Sequence, residues 1–407
     1  MGRPFDGKRV LLGVSGSIAV YKAVDLASKL SQEGALVDVL MTSAAMEFVA
    51  PITFRSVTHR AVVTDLFDTN SHEAVEHVAL AKAADILVVA PATANTLYKL
   101  AHGQADDPVS VTALATTAPL LIAPAMDGNM WHHSAVQANV ALLERRGAVF
   151  AGPASGHLAS GLEGWGRLVE TPELLGRIAQ VLGKHGDLAG KTIVVSAGGT
   201  EEAIDPVRVI SNRSSGKMGY AIAVAARDRG ARVTLVAAPG ALPDPVGMDV
   251  IHVASAAEMG RAVLAACEVA DALIMAAAVA DFRLAEPSAH KIKRRDIERL
   301  SLDLIPNEDF FNAVPDGVMR IGFSAESDDM LANARQTLDS KHLDLVAAND
   351  ITRTDAGFEV DTNQLTLLDR DGGVDELELM SKRDAAWALL DRATALLAEG
   401  KRGSCRA

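Results

Sequence analysis

Cysteine is almost missing from this 407-residue chain: Cys267 and Cys405 are its only two. That shortage excludes a disulfide framework and a CxxC metal site, and it leaves the first 266 residues without a thiol. Positive charge is also short, with 39 Lys and Arg against 52 Asp and Glu and a formal net charge of −13. General nucleic-acid binding needs clustered positive charge, so no nucleic-acid partner is expected. No apolar run approaches the roughly 20 residues of a membrane span, and the start MGRPFDGKRV has no secretory apolar core, so a cytoplasmic protein without membrane contact is expected. Nor does any GxGxxG with an acidic residue ~20 positions on occur, which argues against a tandem oxidoreductase using NAD.

What the chain does contain is apolar residues, 49% of the total and evenly spread. A chain this long is expected to form two buried cores, and the polar, glycine-bearing stretch GKHGDLAGK marks the join. The expected domains are 1–186 and 187–407. Both alternate strand-like apolar runs with helical patterns, which predicts α/β folds with mainly parallel sheets. In the first half the runs are KRVLLGV, LVDVLMT, DILVVAP and PLLIAPAM, with helices at about 93–103, 108–117, 132–147 and 172–183. The glycine-studded HLASGLEGWGRLVE is too irregular for an element and reads as a flap. In the second half strands are expected at 191–196, RVTLVAA, ALIMAAAV, MRIGFSAE and LDLVAAND, with helices at 217–230, 255–268, 328–340 and 382–399. QLTLLD and ELELM, joined by DRDGGV, predict a hairpin, and KRGSCRA a frayed tail.

Three short loops follow strands in the first half: GVSGSIAVYK, MTSAA and APATANT. Each offers Gly, Ser, Thr or Asn at a strand's carboxyl end, where open α/β sheets bind ligands. Together they suit a mononucleotide-like ligand, with Gly16, Ser17, Thr42, Ser43, Thr93 and Asn95 as candidate contacts. His77 opens a helical pattern, where a lone histidine is ordinarily a surface or capping residue. PAMDGNMW (124–131) sets Asp127, Asn129 and Met130 at a strand end, where methionine ordinarily fills core gaps.

In the second half the organising stretch is GGTEEAIDPVRVISNRSSGKMG (198–219), between an apolar strand and an alanine-rich helix. A strand, a glycine-rich turn and a helix start make a site for a phosphorylated ligand, because unpaired N–H groups and the helix dipole favour an anion. About eighteen residues separate the glycine pair from the helix, too many for a mere connection. AAAVADFR (276–283) ends a strand in Asp281, a cap or a ligand contact. Lys291 and Lys293 in KIKR point the same way if extended, although a solvated basic loop would look the same.

The first half, from about Lys8 to Arg167, resembles the flavin-dependent decarboxylases that act on cysteine derivatives, above all phosphopantothenoylcysteine decarboxylases; APATANT and KLAHGQADD are its specific runs. The resemblance implies an FMN-binding Rossmann-like domain assembled as trimers, with His77 as general base and Asp127, Asn129 and Met130 at the substrate. In that family FMN supports oxidation of the thiol-bearing carbon, loss of CO₂ and reduction of the resulting enethiol. Two positions depart from the family. Asp127 replaces an Asn, and a charged carboxylate facing the substrate's carboxylate would repel it, so Asp127 is expected protonated, turned away or replaced in role by Asn129. Ser160 replaces the flap cysteine that donates the last proton, and a hydroxyl is a poorer acid than a thiol.

The second half, roughly Lys191 to Glu399, resembles phosphopantothenate–cysteine ligases, and GGTxExIDPVRxIxNxSSGKMG is close to diagnostic. The bacterial form uses CTP with Mg²⁺: phosphopantothenate attacks the α-phosphate to give an acyl-cytidylate and pyrophosphate, then the amine of cysteine releases CMP. The resemblance places Asn212 and Lys291 at the reacting groups and Arg208 at the substrate. It assigns CTP contacts to Ala276, Ala277, Ala278, Asp281, Lys291, Lys293, Asn307, Glu308, Asp309, Phe310, Phe323, Thr337 and Lys341, with Asp281 also on the metal. Thr337 stands where the family often has a lysine. Together the halves imply a bifunctional enzyme of coenzyme A biosynthesis, a homo-oligomer built as a dodecamer of trimeric first and dimeric second domains. The alternative is a ligase whose first half is only a flavin-binding assembly module.

Overall fold

Strands form where the apolar runs lie. In this computed structural model the described residues are 3–66, 76–293, 299–326, 328–350, 352, 353, 355–357 and 360–403. The chain divides into two compact units, Gly2–Gly183 and Lys184–Ala407.

The first unit is built on a six-stranded sheet, all parallel, in the order Val62–Val63, Leu36–Met41, Arg9–Val14, Ile86–Ala92, Leu120–Pro124, Val149–Phe150. Read in chain order this is 3-2-1-4-5-6, the doubly wound arrangement whose direction reverses between the first and fourth strands. Alternate residues serve opposite faces. Leu12, Val39 and Val88 pack into one core, while Leu11, Leu40 and Leu87 pack into the other. Each such fully buried side chain contributes roughly 1.5–3 kcal/mol relative to exposure. Covering helices include Val20–Gln32, Ala94–His102, Pro108–Ala115, Ser134–Arg145 and Thr171–Gly183. The helix Pro108–Ala115 starts on a reciprocal cap between Asp107 and Ser110.

The second unit repeats the order without repeating the sequence. Its sheet runs Asp249–His252, Arg232–Ala237, Thr192–Ala197, Ala272–Met275, Met319–Glu326, Leu345–Asp350, with the antiparallel strands Thr366–Asp369 and Val374–Glu376 added at one edge. The six parallel strands again read 3-2-1-4-5-6, so the reversal falls between Thr192–Ala197 and Ala272–Met275. Valines and leucines of adjacent positions, such as Val195 and Val194, divide between two cores here as well.

Several expectations shift in detail. The hairpin strand after DRDGGV is Val374–Glu376, not ELELM; Met380–Ser381 instead pairs with Thr362–Asn363. The glycine-studded flap contains a paired ribbon, Ala154–His157 with Glu163–Arg167. Short antiparallel ribbons also join Glu201–Ala203 to Val209–Ser211 and Phe282–Leu284 to Leu304–Pro306. Helix Lys382–Gly403 runs into the expected tail, of which 404–407 lie outside the described residues.

Candidate active sites

In the first unit the candidate site forms at the switch point, on the carboxyl ends of Arg9–Val14 and Ile86–Ala92. Ser15 is buried there. Its hydroxyl donates to Pro91 O at 2.7 Å and accepts from Thr93 N at 3.1 Å, tying the two loops together. Thr93 caps the helix Ala94–His102 by accepting from Thr96 N, and its hydroxyl lies 3.0 Å from that of Thr96. Thr42 caps Ser43–Met46 in the same manner. Gly16 lets these loops meet: a Cβ there would lie 2.6 Å from Ala44 Cβ and 2.8 Å from its carbonyl carbon. Ser17 is half-buried, whereas Ser43 and Asn95 are exposed. The loops expected to hold a flavin phosphate and ribityl chain therefore converge, with free hydroxyls and helix starts on one edge. Ser15 and Thr96 were not singled out from sequence. Their signal was the hydroxyl-rich composition of GVSGS and ATANT.

The loop after Leu120–Pro124 reaches the same edge, since Ala125 N donates to Ala92 O at 3.0 Å. Asp127 then caps the short helix Gly128–Trp131, accepting from Asn129 N at 3.0 Å. The ribbon 154–167 lies against this loop: Met126 N donates to Gly166 O at 2.9 Å, and a Cβ on Gly166 (φ 139) would collide with Met126 O. It carries Ser160 to Asp127, where the hydroxyl donates to Oδ2 at 2.7 Å. The two positions that depart from the family thus touch each other. The Ser160 hydroxyl, followed by the Asn129 amide, holds the Asp127 carboxyl below its ordinary range. Of the three expected states of Asp127, the structure disfavours the protonated one. Asn129 and Met130 are exposed beside it. His77 is half-buried in the first turn of Glu76–Ala83; the segment before it lies outside the described residues.

In the second unit, one cavity of about 570 Å³ opens over the switch point. Its floor is the Ala276–Asp281 segment, held by a set of backbone ties. Ala277 N donates to Ser196 Oγ at 3.1 Å, Ala278 N to Gly198 O at 2.8 Å and Ala280 N to Thr200 Oγ1 at 2.8 Å. Asn212 reaches across from the organising loop, donating to Val279 O at 3.1 Å. Asn307 closes the other side, its side chain donating to Ala280 O and its N–H to Asp281 O, both at 2.8 Å. Phe310 packs on Gly260, where a Cβ would meet its ring at 2.8 Å. Asn212, Ala276, Ala277, Ala278, Asp281, Asn307, Glu308, Asp309, Phe310, Phe323, Thr337 and Lys341 all line this one cavity. They come from six stretches of sequence.

Lys291, Lys293 and Arg208 do not line it. The turn between Glu201–Ala203 and Val209–Ser211 is organised by Asp205, whose side chain is fully buried. Asp205 accepts from Val207 N at 2.8 Å, Arg208 N at 2.9 Å and Ile292 N at 3.2 Å, and is paired with the Arg208 guanidinium. Burial raises its carboxyl, but these donors outweigh that and hold it low. Arg208 also donates to Ile292 O at 3.2 Å, so the exposed Lys291 and Lys293 are tethered beside this turn. Arg294 lies outside the described residues. Sequence reading missed Lys382, which lines the cavity at 6% exposure. Nothing local marks it, since it opens a helix that looks merely amphipathic.

Among the described residues no group of three or more His, Cys, Asp or Glu side chains is placed to hold a metal ion. A site for Mg²⁺ built from one carboxylate and ligand phosphates remains compatible with the cavity, because Mg²⁺ is commonly held in that way.

The two units are those of a flavoprotein joined to a pantothenate-metabolism domain. The family model described as "Flavoprotein" matches residues 2–183, and that described as "DNA/pantothenate metabolism flavoprotein C-terminal domain" matches 188–397. The chain belongs to the family of coenzyme A biosynthesis bifunctional proteins CoaBC. It is 44% identical to the Bacillus subtilis protein over 401 residues, covering 96% of this chain and 98% of that one. It is 42% identical to the Mycobacterium tuberculosis protein over 409 residues, with 96% and 97% covered. Among solved structures it is similar to the C-terminal domain of a CoaBC protein, with 34% identity, a TM-score of 0.46, and 53% of this chain and 99% of that one covered. It is also similar to a PPC decarboxylase mutant complexed with pantothenoylaminoethenethiol, with 29% identity, a TM-score of 0.39, and 42% and 96% covered. The chain is thus a bifunctional enzyme of coenzyme A biosynthesis, which decides against the ligase-only alternative. No helix among the described residues is long and apolar enough to cross a membrane.

Proposed function

We propose that the second unit joins 4′-phosphopantothenate to cysteine with CTP, and that the first unit decarboxylates the product to 4′-phosphopantetheine with FMN. The observation that carries the ligase reading is the single cavity in which six separate stretches of sequence meet. A carboxylate and a triphosphate repel, so ligation requires donors and positive charge around the α-phosphate. The ordered backbone of Ala276–Asp281 and the walls formed by Asn307–Phe310 and Phe323 would hold the nucleoside. Lys341 offers positive charge, while Thr337 offers only a hydroxyl where a second lysine would bind more strongly. The substrate carboxylate displaces pyrophosphate from CTP, giving an acyl-cytidylate beside Asn212. The amine of cysteine then attacks the acyl carbon and CMP leaves. Asp281 with the nucleotide phosphates would hold Mg²⁺, which supplies charge neutralisation at those phosphates. Lys291 is assigned to the reacting phosphoryl group and Lys293 beside it, both delivered by the segment that Asp205 anchors. Arg208 would contact substrate from the same turn.

In the first unit Gly16, Ser17, Thr42, Ser43, Thr93 and Asn95 would hold FMN, which supplies reversible two-electron oxidation of the substrate's thiol-bearing carbon. The convergence of these loops and the close approach at Gly16 fit such a group. His77 would remove a proton from the substrate. Asn129 and Met130 would position it, while Asp127 stays ionised and engaged with Ser160. The chain would work as a homo-oligomer, with trimeric first units and dimeric second units making a dodecamer.

The test is purification followed by assay. A yellow protein of large size should release CMP from CTP and convert phosphopantothenate to the cysteine adduct only when cysteine is present. CO₂ release should follow on supplying phosphopantothenoylcysteine. A colourless protein, or one indifferent to CTP, would overturn the corresponding half of the reading. Lys291→Gln should slow CMP formation by at least tenfold; parental rates would refute that assignment.

A further inference from the structure

Lys382 is the most unusual side chain in the second unit. It is 6% exposed, lines the cavity, and its ammonium has no hydrogen bond or ion pair among the described residues. Buried charges are ordinarily paired. Here the nearby charges include another cation, Lys217, and one carboxylate, Asp361. Asp361 pairs with Lys217 instead, at 2.7 Å. Burial, then the charge of Lys217, pushes the Lys382 amine down to about 8, with Asp361 opposing.

Both lysines stand at the first position of a helix: Lys217 in Lys217–Asp228, Lys382 in Lys382–Gly403. The helix at Lys217 follows Gly216 in a left-handed conformation (φ 72) and has no side-chain cap, which leaves its first turn open. Two positive dipole ends and two ammonium groups therefore share one part of a cavity, and neutral donors, Ser214, Asn349 and Asn363, line it with them. Glu326, another lining carboxylate, is already engaged by Asn333 at 3.0 Å and by Ser324.

We propose that Lys382, together with Lys217 and the two helix starts, forms a subsite for a phosphoryl anion of the cavity's ligand. The proposal deepens the ligase reading and rests on it for the ligand's identity. The anion is either the pyrophosphate end of the nucleotide or the phosphate ester of the acid substrate, and both offer the same oxyanion chemistry. On binding, the anion gives Lys382 the counter-charge it lacks, so its amine takes up a proton above neutral pH.

The experiment uses the full chain and Lys382→Met and Lys382→Arg variants. Binding of inorganic pyrophosphate and of phosphopantothenate is measured by titration calorimetry at pH 8 in buffers of different ionisation enthalpy, with Mg²⁺ present and no turnover. The KM values for CTP and phosphopantothenate are then compared. The wild-type chain should bind one of the two anions with proton uptake. Lys382→Met should weaken that binding about tenfold, as expected for a lost charge-assisted contact, and abolish the Lys382 share of the uptake. Lys382→Arg should restore most of the affinity. A matching rise in KM for CTP alone assigns the subsite to the nucleotide, and one for phosphopantothenate alone assigns it to the acid substrate. If Lys382→Met stays folded by circular dichroism and binds both anions like wild type, or if the wild type binds neither, the subsite is overturned. Failure of the ligase reading looks different: anion binding persists and depends on Lys382, but CTP yields no CMP.

Discussion

The hydrogen bond from Ser160 to Asp127 joins two side chains that lie 33 positions apart, and it gives the pair a property neither has alone. Asp127 is kept ionised chiefly by that hydroxyl. Replacing Ser160 by Ala should raise the pH at which Asp127 titrates, toward the ordinary value near 4. Carbon NMR of the labelled side-chain carboxyl would measure it, and an unchanged midpoint would remove the pair from the argument. Ser160→Cys should act in the opposite sense on chemistry. A thiol beside an ionised carboxylate is discouraged from losing its proton, so it remains available as a donor. The ratio of phosphopantetheine formed to CO₂ released should therefore rise in this variant. Lys382 supplies a second test. Its folded pKa of about 8 lies below the 10.5 of a free lysine, so the unfolded chain binds more protons between those values. Stability of the ligand-free second unit should therefore increase as pH rises from 8 toward 10.5, by up to roughly 3 kcal/mol, and stay lower by that amount below pH 8. Lys382→Met should flatten this part of the profile in thermal melts at a series of pH values.

At the scale of elements, long buried strands and their helices were legible because apolar runs and helical periods are local signals. Thr192–Ala197 and Leu345–Asp350 fall within two residues of expectation for that reason. The short ribbons were not legible. A three-residue strand such as Glu201–Ala203 is defined by its partner, not by its own composition, and the partner lies beyond a turn organised by a buried Asp205. The organising stretch at 198–219 owes its extra length to that ribbon, which explains why a simple strand–turn–helix reading found it too long. The ribbon also takes Arg208 away from the cavity lining while leaving Asn212 on it. One element contact sets a measurable limit. Gly219 presses the helix Lys217–Asp228 onto its strand, and a Cβ there would stand 2.6 Å from Ala197 Cβ and 2.7 Å from Ser196 O. Gly219→Ala should therefore destabilise the second unit by about 1–3 kcal/mol, as overpacking does, seen as a lower denaturant midpoint. It should weaken nucleotide binding as well, because Ser196 also holds Ala277.

For the whole molecule, each unit has its own sheet and its own pair of cores. The residues between them are few: Thr171–Gly183 ends one unit, and Asp187 already belongs to the other through its ion pair with Arg229 at 2.5 Å. Lys184 and His185 are exposed. A protease site inserted between them should be cut readily, and the cut chain should retain CTP-dependent ligation at near-parental rates with FMN still bound. Loss of both activities on cleavage would show that the units depend on each other for folding. The alternation of strands and helices made the α/β class readable in both halves. The identical strand order was not, because it is a property of the path of the chain and leaves no repeated residues.

The pair between Lys217 and Asp361 bears on turnover. Asp361 is 89% exposed, so moving its carboxylate into water costs little. An anion arriving at Lys217 can replace it, and as the product anion departs the carboxylate can return. Exchange by substitution in this manner leaves Lys217 paired between reaction cycles, so product escape need not wait for a bare ammonium to form.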